Sequence, residues 1–319
     1  MNTKSKILLA CLALCSLLLL STIKVNALSS KPKLILGMSD GYESQYTICY
    51  PYLEEKGITP FVMCIAGITN GSSSGKFENQ DLMNWTEINE LQDHGYDLVS
   101  HSLTHPHMSS GGLSASELTQ ETNGSQCLIK EMTNYKPYLF CVPFGDRNAT
   151  VNTYIDEYYV GCLDDYFNCP SPQNKPIFEY PIADFNYSYI PINGIIGSQN
   201  PNGNQTDNII GNLTQHLNWL VGNGTGYVDI ECWHTVFSNV SDCRGSPYSD
   251  IDETTWKACI DLIDEYVQND SITIAQIDSV FASREMPART RDISAEVLTS
   301  ILSIMMLVIA VSFLTKVKF

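Results

Sequence analysis

Three of the six histidines in the chain stand within seven residues of the stretch DLVSHSLTHPHMS, Asp97 to Ser109. Imidazoles four positions apart, as in His101 and His105, reach one metal ion from a single turn or tight loop. With Asp40 of MSDGYES they make two imidazoles and one carboxylate, a common ligand set for a catalytic zinc with one position open for water. Such an ion lowers the pKa of bound water toward neutrality and polarises a carbonyl, which suits hydrolysis of an amide or ester. The same residues also have a plain structural reading: Asp40 caps the helix after SDG, and the histidines decorate a loop. Spacing alone leaves both open.

What would carry Asp40 to the histidines is the order of elements. KLILGM reads as a strand, SDGYES as a polar turn, YTICYPYLEEKG as a helix ending at Gly57, and PFVMCIAG as a second strand. Such a strand, helix, strand unit makes parallel sheets. NGSSSG reads as a loop, WTEINELQDHG as a helix with Gly95 at its C-cap, and YDLVSH as a third strand that delivers His101. SASELTQETNGSQCLIKEMT carries helical spacing interrupted by Asn-Gly, and YLFCVPFG is a fourth strand closed by Pro and Gly. Past a polar middle from Asn168 to Asn208 come a helix at IIGNLTQHLNWLVG, a strand at YVDIECWH, a helix at ETTWKACIDLIDEYVQN and a last strand near SITIAQI. Repeated βα units over this length predict an α/β fold, a barrel or a doubly wound sheet. Asp40, His101, the turn from Pro143 to Gly145, and His234 each fall just after a strand. In parallel α/β folds those ends converge on one face, where active sites are built.

The line LILGMSDGYESQYTICYPYLEEKGITPFVMCIAG resembles the opening of the polysaccharide deacetylases of the NodB-homology type (carbohydrate esterase family 4), whose first motif reads Thr-Phe-Asp-Asp-Gly. HGYDLVSHSLTH resembles their His-Ser-x-x-His second motif, and the likeness weakens from Lys33 toward Ser279. The resemblance implies a distorted (β/α) barrel that removes acetyl groups from N-acetylated sugars with a divalent metal, most commonly Zn2+, with Co2+ or Ni2+ as alternatives. It implies Asp40, His101 and His105 as the metal ligands. CVPFG, Cys141 to Gly145, looks like the third motif, in which Pro143 and Gly145 shape the groove and the main-chain N–H of Phe144 helps to stabilise the oxyanion. CWH looks like the fifth, whose histidine, here His234, protonates the leaving amine.

Two departures bear on activity. Ser39 stands where the family has its general-base aspartate, and a hydroxyl protonated at neutral pH cannot take a proton from water as a carboxylate does. Cys141 replaces the arginine that partners that base. A slow reaction without the base, or a stand-in carboxylate from Asp164 or Asp165 of GCLDDYF, would be the alternatives. Trp233, beside His234, is expected as a sugar platform, and Tyr42 either borders the groove or packs under its loop. His107 is read as a surface neighbour, His94 and His216 as solvated helix residues, and Trp85 and Trp219 as core.

The ends frame this domain. MNTKSK, the apolar run Ile7 to Leu20 and the small residues up to Ala27 read as a secretory signal, residues 1–27. Residues 28–285 read as the deacetylase-like domain, and 286–319 as a juxtamembrane segment with an apolar tail, Val297 to Leu314, that either spans a bilayer or is exchanged for a lipid anchor. Ten Asn-x-Ser/Thr sequons fit a glycosylated ectodomain on the extracellular face of a membrane. Eleven cysteines, less Cys11 and Cys15 of the signal, leave nine in an oxidising compartment, where disulfides are expected; Cys162 with Cys169 and Cys232 with Cys243 are close enough to close small loops. The formal net charge of -17 becomes -20 once Lys4, Lys6 and Lys24 leave with the signal. That argues against nucleic acid as a partner, since phosphate binding needs a basic face. The expected partners are an N-acetylated carbohydrate and, through the tail, a membrane. Two functions remain in view: a metal-dependent deacetylase, and a catalytically impaired module that binds sugar.

Overall fold

A computed structural model describes residues 31–69, 75–165, 190–192, 194, 196, 206–223, 228–244 and 250–281. The signal, the apolar tail, Cys169 and the side chain of Asp165 lie outside the described residues. The chain divides into a unit of residues 1–280 and a second of residues 281–319, of which only Phe281 is described. Among the described residues no helix is long and apolar enough to cross a membrane.

In chain order the strands are β1 (Lys33–Met38), β2 (Phe61–Cys64), β3 (Lys76–Phe77), β4 (Gln80–Asp81), β5 (Leu98–Ser100), β6 (Leu139–Cys141), β7 (Gly161–Asp165), β8 (Ile190–Ile192), β9 (Val228–Trp233), β10 (Val236–Phe237), β11 (Ile251–Asp252) and β12 (Thr273–Ile274). Eight of them form one sheet in the order β12-β1-β2-β5-β6-β7-β8, with β9 beside β1. Every pairing in it is parallel. Parallel strands covered on both faces read as continuous apolar runs, which is why KLILGM is buried at all but its first position. β9 lies along β1 for its whole length, from Lys33↔Val228 to Met38↔Trp233. The sheet curls until β8 comes alongside β9 without a ladder joining them, a parallel half-barrel. Its tightness shows at Gly37, where an added Cβ would lie 2.3 Å from the Phe61 ring and 2.7 Å from Cys232 Sγ.

Helices α1 (Tyr50–Lys56), α2 (Trp85–Asp93), α3 (Ala115–Thr119), α4 (Ser125–Thr133), α5 (Ala149–Tyr158), α6 (Thr206–Asn223), α7 (Glu253–Gln268) and α8 (Ile277–Phe281) fill the connections. α1 follows a π-helical turn, Gln45–Cys49, and ends at Gly57, whose φ of 66° takes the left-handed conformation open to glycine. α2 begins with a capping box in which Asn84 and Glu87 bond each other's backbone. The Asn-Gly step expected to interrupt the next helix does not: α3 and α4 are continuous through a π-helical turn, Gln120–Gly124, that absorbs it. The β3–β4 hairpin follows the stretch read as a loop, NGSSSG, in a segment to which the sequence reading gave no element.

The even residues of β1, Leu34, Leu36 and Met38, pack against Leu53 of α1, Ile88 of α2 and Trp256 and Ile260 of α7 in one buried cluster. By register Trp233 shares that side with Met38. It is 0% exposed, with its ring centroid 5.6 Å from that of Trp256. This corrects the sugar-platform expectation, because Trp233 presents no face to solvent. Truncating a tryptophan so placed costs about 3–5 kcal/mol, so its contribution is to the core. Cys49, Cys64, Cys162 and Cys259 are free, buried thiols and Cys127 is free and exposed; Cys169, the partner weighed for Cys162, lies outside the described residues.

Candidate active site

Four connections place the site at the C-terminal rim of the sheet. β1 and β9 end in step at Met38↔Trp233, and the next amide, Ser39 N–H, donates to Trp233 O at 2.8 Å. Asp40 and His234 therefore leave the sheet side by side. Cys64 of β2 pairs with Ser100 of β5, His101 N–H donates to Cys64 O at 2.8 Å, and Ser100 pairs with Phe140 of β6, so the histidine loop and the Pro143 turn emerge at the same rim.

There His101 Nε2 lies 3.1 Å and His105 Nε2 3.6 Å from Asp40 Oδ1, and the two nitrogens are 3.1 Å apart. One face of a tetrahedron around zinc, with bonds of about 2.0–2.1 Å, has edges of about 3.3–3.4 Å. The three donor atoms thus form a triangle of the size one divalent ion requires, and all three residues are buried. His101 donates from Nδ1 to Cys141 O at 2.9 Å, which leaves a lone pair on Nε2 pointing inward. Burial, and then His101 beside it, pushes the His105 imidazole down to about 3, so it is a neutral ligand at physiological pH. Burial alone would raise the Asp40 carboxyl, but His234, His101 and His105 outweigh it and hold it well below the usual carboxylate range. A neutral His105 imidazole and an ionised carboxylate suit a hard-to-borderline divalent cation.

The supporting residues had no signal in spacing alone. Ser102 Oγ accepts the His105 N–H at 2.8 Å. Glu121, in the π-helical turn, accepts the N–H of Leu103 and of Thr104, both at 2.9 Å, and the Thr104 hydroxyl at 2.6 Å. Together they hold His105 at a φ of 62°, which a non-glycine residue keeps only when its surroundings insist. Buried Gln45 donates from Nε2 to Ser39 O at 2.7 Å and to His234 O at 3.0 Å, clamping the Asp40 and His234 loops together. A π-helical turn at the opening of this helix aims that amide at both carbonyls.

His234 Nε2 is 3.7 Å from Asp40 Oδ2, with its side chain 23% exposed; burial lowers its pKa. Phe144 has a φ of 58° and is 46% exposed. Its ring meets His105 edge-on at 4.6 Å and stacks on His107 at 4.2 Å, while Phe77 of β3 covers the other side of His105 at 4.6 Å. Asp146, 3.6 Å away, steadies His107, which remains a surface neighbour. Pro143 is buried and Gly145 half-buried. Tyr42 packs under its loop, 1% exposed, with its hydroxyl donating to Glu78 at 3.4 Å, and does not border the groove. Ser39 is buried too, 3.5 Å from Asp40 Oδ1 and 3.4 Å from Met63 Sδ. Asp164 does not serve as a stand-in base: it is buried against Arg147, 2.7 Å away. His216 is not solvated, as expected from its helix, but 3% exposed; it falls in phase with the buried stripe of Ile209, Leu213, Leu217 and Leu220.

A histidine pair, a carboxylate and a further histidine at the C-terminal rim of a curled parallel sheet define a candidate hydrolytic centre in an α/β protein. Residues 28–160 match the family described as polysaccharide deacetylase, and over that span the chain is similar to it. Three solved structures are among those similar to it. The first is a family 4 acetyl xylan esterase from Clostridium thermocellum in complex with a cobalt ion (13% identity, 81% of this chain and 93% of that one, TM-score 0.49). The second is the CE4 domain of a multidomain xylanase from the hindgut metagenome of Trinervitermes trinervoides (18%, 79% and 90%, TM-score 0.48). The third is a mutant CE4-family pseudoenzyme with restored enzymatic activity (13%, 79% and 68%, TM-score 0.45). No curated protein matches the chain.

Proposed function

We propose that this chain is a metal-dependent carbohydrate deacetylase that hydrolyses the N-acetyl groups of an N-acetylglucosamine-containing glycan. The observation that carries the reading is the triangle of Asp40, His101 and His105 at the rim that also bears His234. A divalent cation held there, zinc before cobalt or nickel, supplies a Lewis acid for the amide carbonyl and acidifies water. The chain's own residues do the rest. Asp40 stays ionised, His101 is oriented by Cys141 O, and His105 is wedged between Phe77 and Phe144. The exposed face of Phe144, backed by His107, gives a sugar ring a flat apolar surface, and its main-chain N–H serves the oxyanion. His234 hands a proton to the leaving amine.

Ser39 favours a second reading, a descendant that binds glycan and no longer cleaves it. Losing a general base costs roughly 10²- to 10⁴-fold in rate, and among the described residues Asp164 offers no rescue, being held by Arg147. The signal, the sequons and the apolar tail support a glycosylated ectodomain, residues 28–285, tethered at the cell surface by a spanning helix or a lipid anchor. The deciding experiment loads the purified protein with zinc and measures acetate release from acetylated chitooligosaccharides beside Ser39→Asp. Release by the parent, abolished in His101→Ala, supports the enzyme. Activity in Ser39→Asp alone sinks the deacetylase reading for the natural chain, and inactivity of both with retained sugar binding leaves the binding module.

A further inference from the structure

β9 carries a second group of ligand-type side chains, on the side of the sheet that faces the helices. Its residues alternate, so Asp229 and Glu231 point the same way as Trp233. By register they lie beside Leu34 and Leu36 of β1, which are in the buried core between sheet and helices. Two carboxylates at core positions are expensive unless their charge is met there. Among the described residues His216 of α6, in the apolar stripe of that helix, lies against both. His216 Nε2 pairs with Asp229 Oδ2 and lies 3.3 Å from Glu231 Oε1. His216 and Asp229 are each 3% exposed and Glu231 is 0% exposed.

We infer that His216, Asp229 and Glu231 form a second divalent-cation site, buried between β9 and α6 and separate from the rim centre. One donor atom from each lies within 4.8 Å of the others, and the 3.3 Å between His216 Nε2 and Glu231 Oε1 is the spacing of two ligands sharing a zinc-sized ion, about 3.3–3.4 Å. A divalent cation bound to neutral His216 would offset the charge of both carboxylates. The site lies in the body of the sheet: Asp229 is about 13 Å back along the strand from Trp233 at the rise of an extended chain. Such an ion is taken up as the chain folds and ties α6 to the sheet, a structural function distinct from hydrolysis.

Zinc per chain decides it. The full chain is equilibrated with zinc, freed of loosely held metal with a weak chelator, and analysed beside His101→Ala/His105→Ala and His216→Gln. Two equivalents in the wild type, one in the rim variant and one in His216→Gln are expected. One equivalent in the wild type and none in the rim variant overturns the site, as does a folded His216→Gln that keeps two. If His216→Gln does not fold, the rim variant, altered only at the sheet's end, still gives the answer: one equivalent retained supports the site and none removes it. One equivalent in the wild type that survives the rim substitutions supports the buried site and counts against the rim centre instead.

Discussion

His101 is oriented by a main-chain atom, donating from Nδ1 to the carbonyl oxygen of Cys141 at 2.9 Å. The side chain of residue 141, where the motif it resembles carries arginine, plays no part in that bond. Cys141→Ala should therefore keep zinc affinity within about threefold, whereas His101→Ala removes a ligand outright and should lower affinity beyond the 10–100-fold that loss of an orienting partner costs. Competition against a chelator of known affinity measures both. A large loss in Cys141→Ala would mean that the thiol itself holds the loop.

Glu121 is the main support of the histidine loop, accepting two amides and a hydroxyl from Leu103 and Thr104. Removing its carboxylate leaves two part-buried main-chain donors and a hydroxyl unmet, at about 1 kcal/mol each where water reaches them and up to about 3 where it does not. Glu121→Ala should lose roughly 2–4 kcal/mol in urea unfolding and weaken zinc by 10–100-fold. Glu121→Gln, which keeps one acceptor oxygen, should fall between. Wild-type zinc affinity in Glu121→Ala would show that His105 holds its left-handed backbone without this support.

Six of the main sheet's eight strands, β1, β2, β5, β6, β9 and β12, and the placing of Asp40, His101 and His234 at strand ends were legible because parallel buried strands announce themselves as apolar runs and rim residues follow them directly; β8 fell inside the stretch read as a polar middle. The histidine spacing gave the ligand pair. What spacing could not give was depth. Trp233 and His216 are named by type as surface chemistry, yet strand alternation and the helical stripe of Ile209, Leu213, Leu217 and Leu220 put both inside. Phase against neighbouring apolar residues was the usable signal for each. The clamps were illegible for another reason. Gln45 bridges the carbonyls of Ser39 and His234, the second 189 residues away, and Arg147 finds Asp164 on the neighbouring β7, and such polar bonds leave no local period.

Asp97, just before β5, gives a pH-dependence away from the rim. Burial, and the nearby Asp278 of α8, push its carboxyl up to about 6, against a weaker opposing bond in which Asp97 Oδ2 accepts the Asp278 N–H at 3.0 Å. An acid whose pKa is raised by folding holds its proton more tightly in the folded state. Its contribution is intact below the unfolded value near 4 and is lost as pH rises through about 6. A shift of about two units corresponds to no more than roughly 3 kcal/mol. Asp97→Asn keeps an oxygen for the Asp278 amide but cannot ionise, so it should be more stable than wild type at pH 8 by about 1–3 kcal/mol. At pH 4 the two should unfold together. Urea titrations at the two pH values check this: a gain equal at both would trace to packing, and a loss at pH 8 would show that the ionised carboxylate is a net stabiliser of the α8 contact.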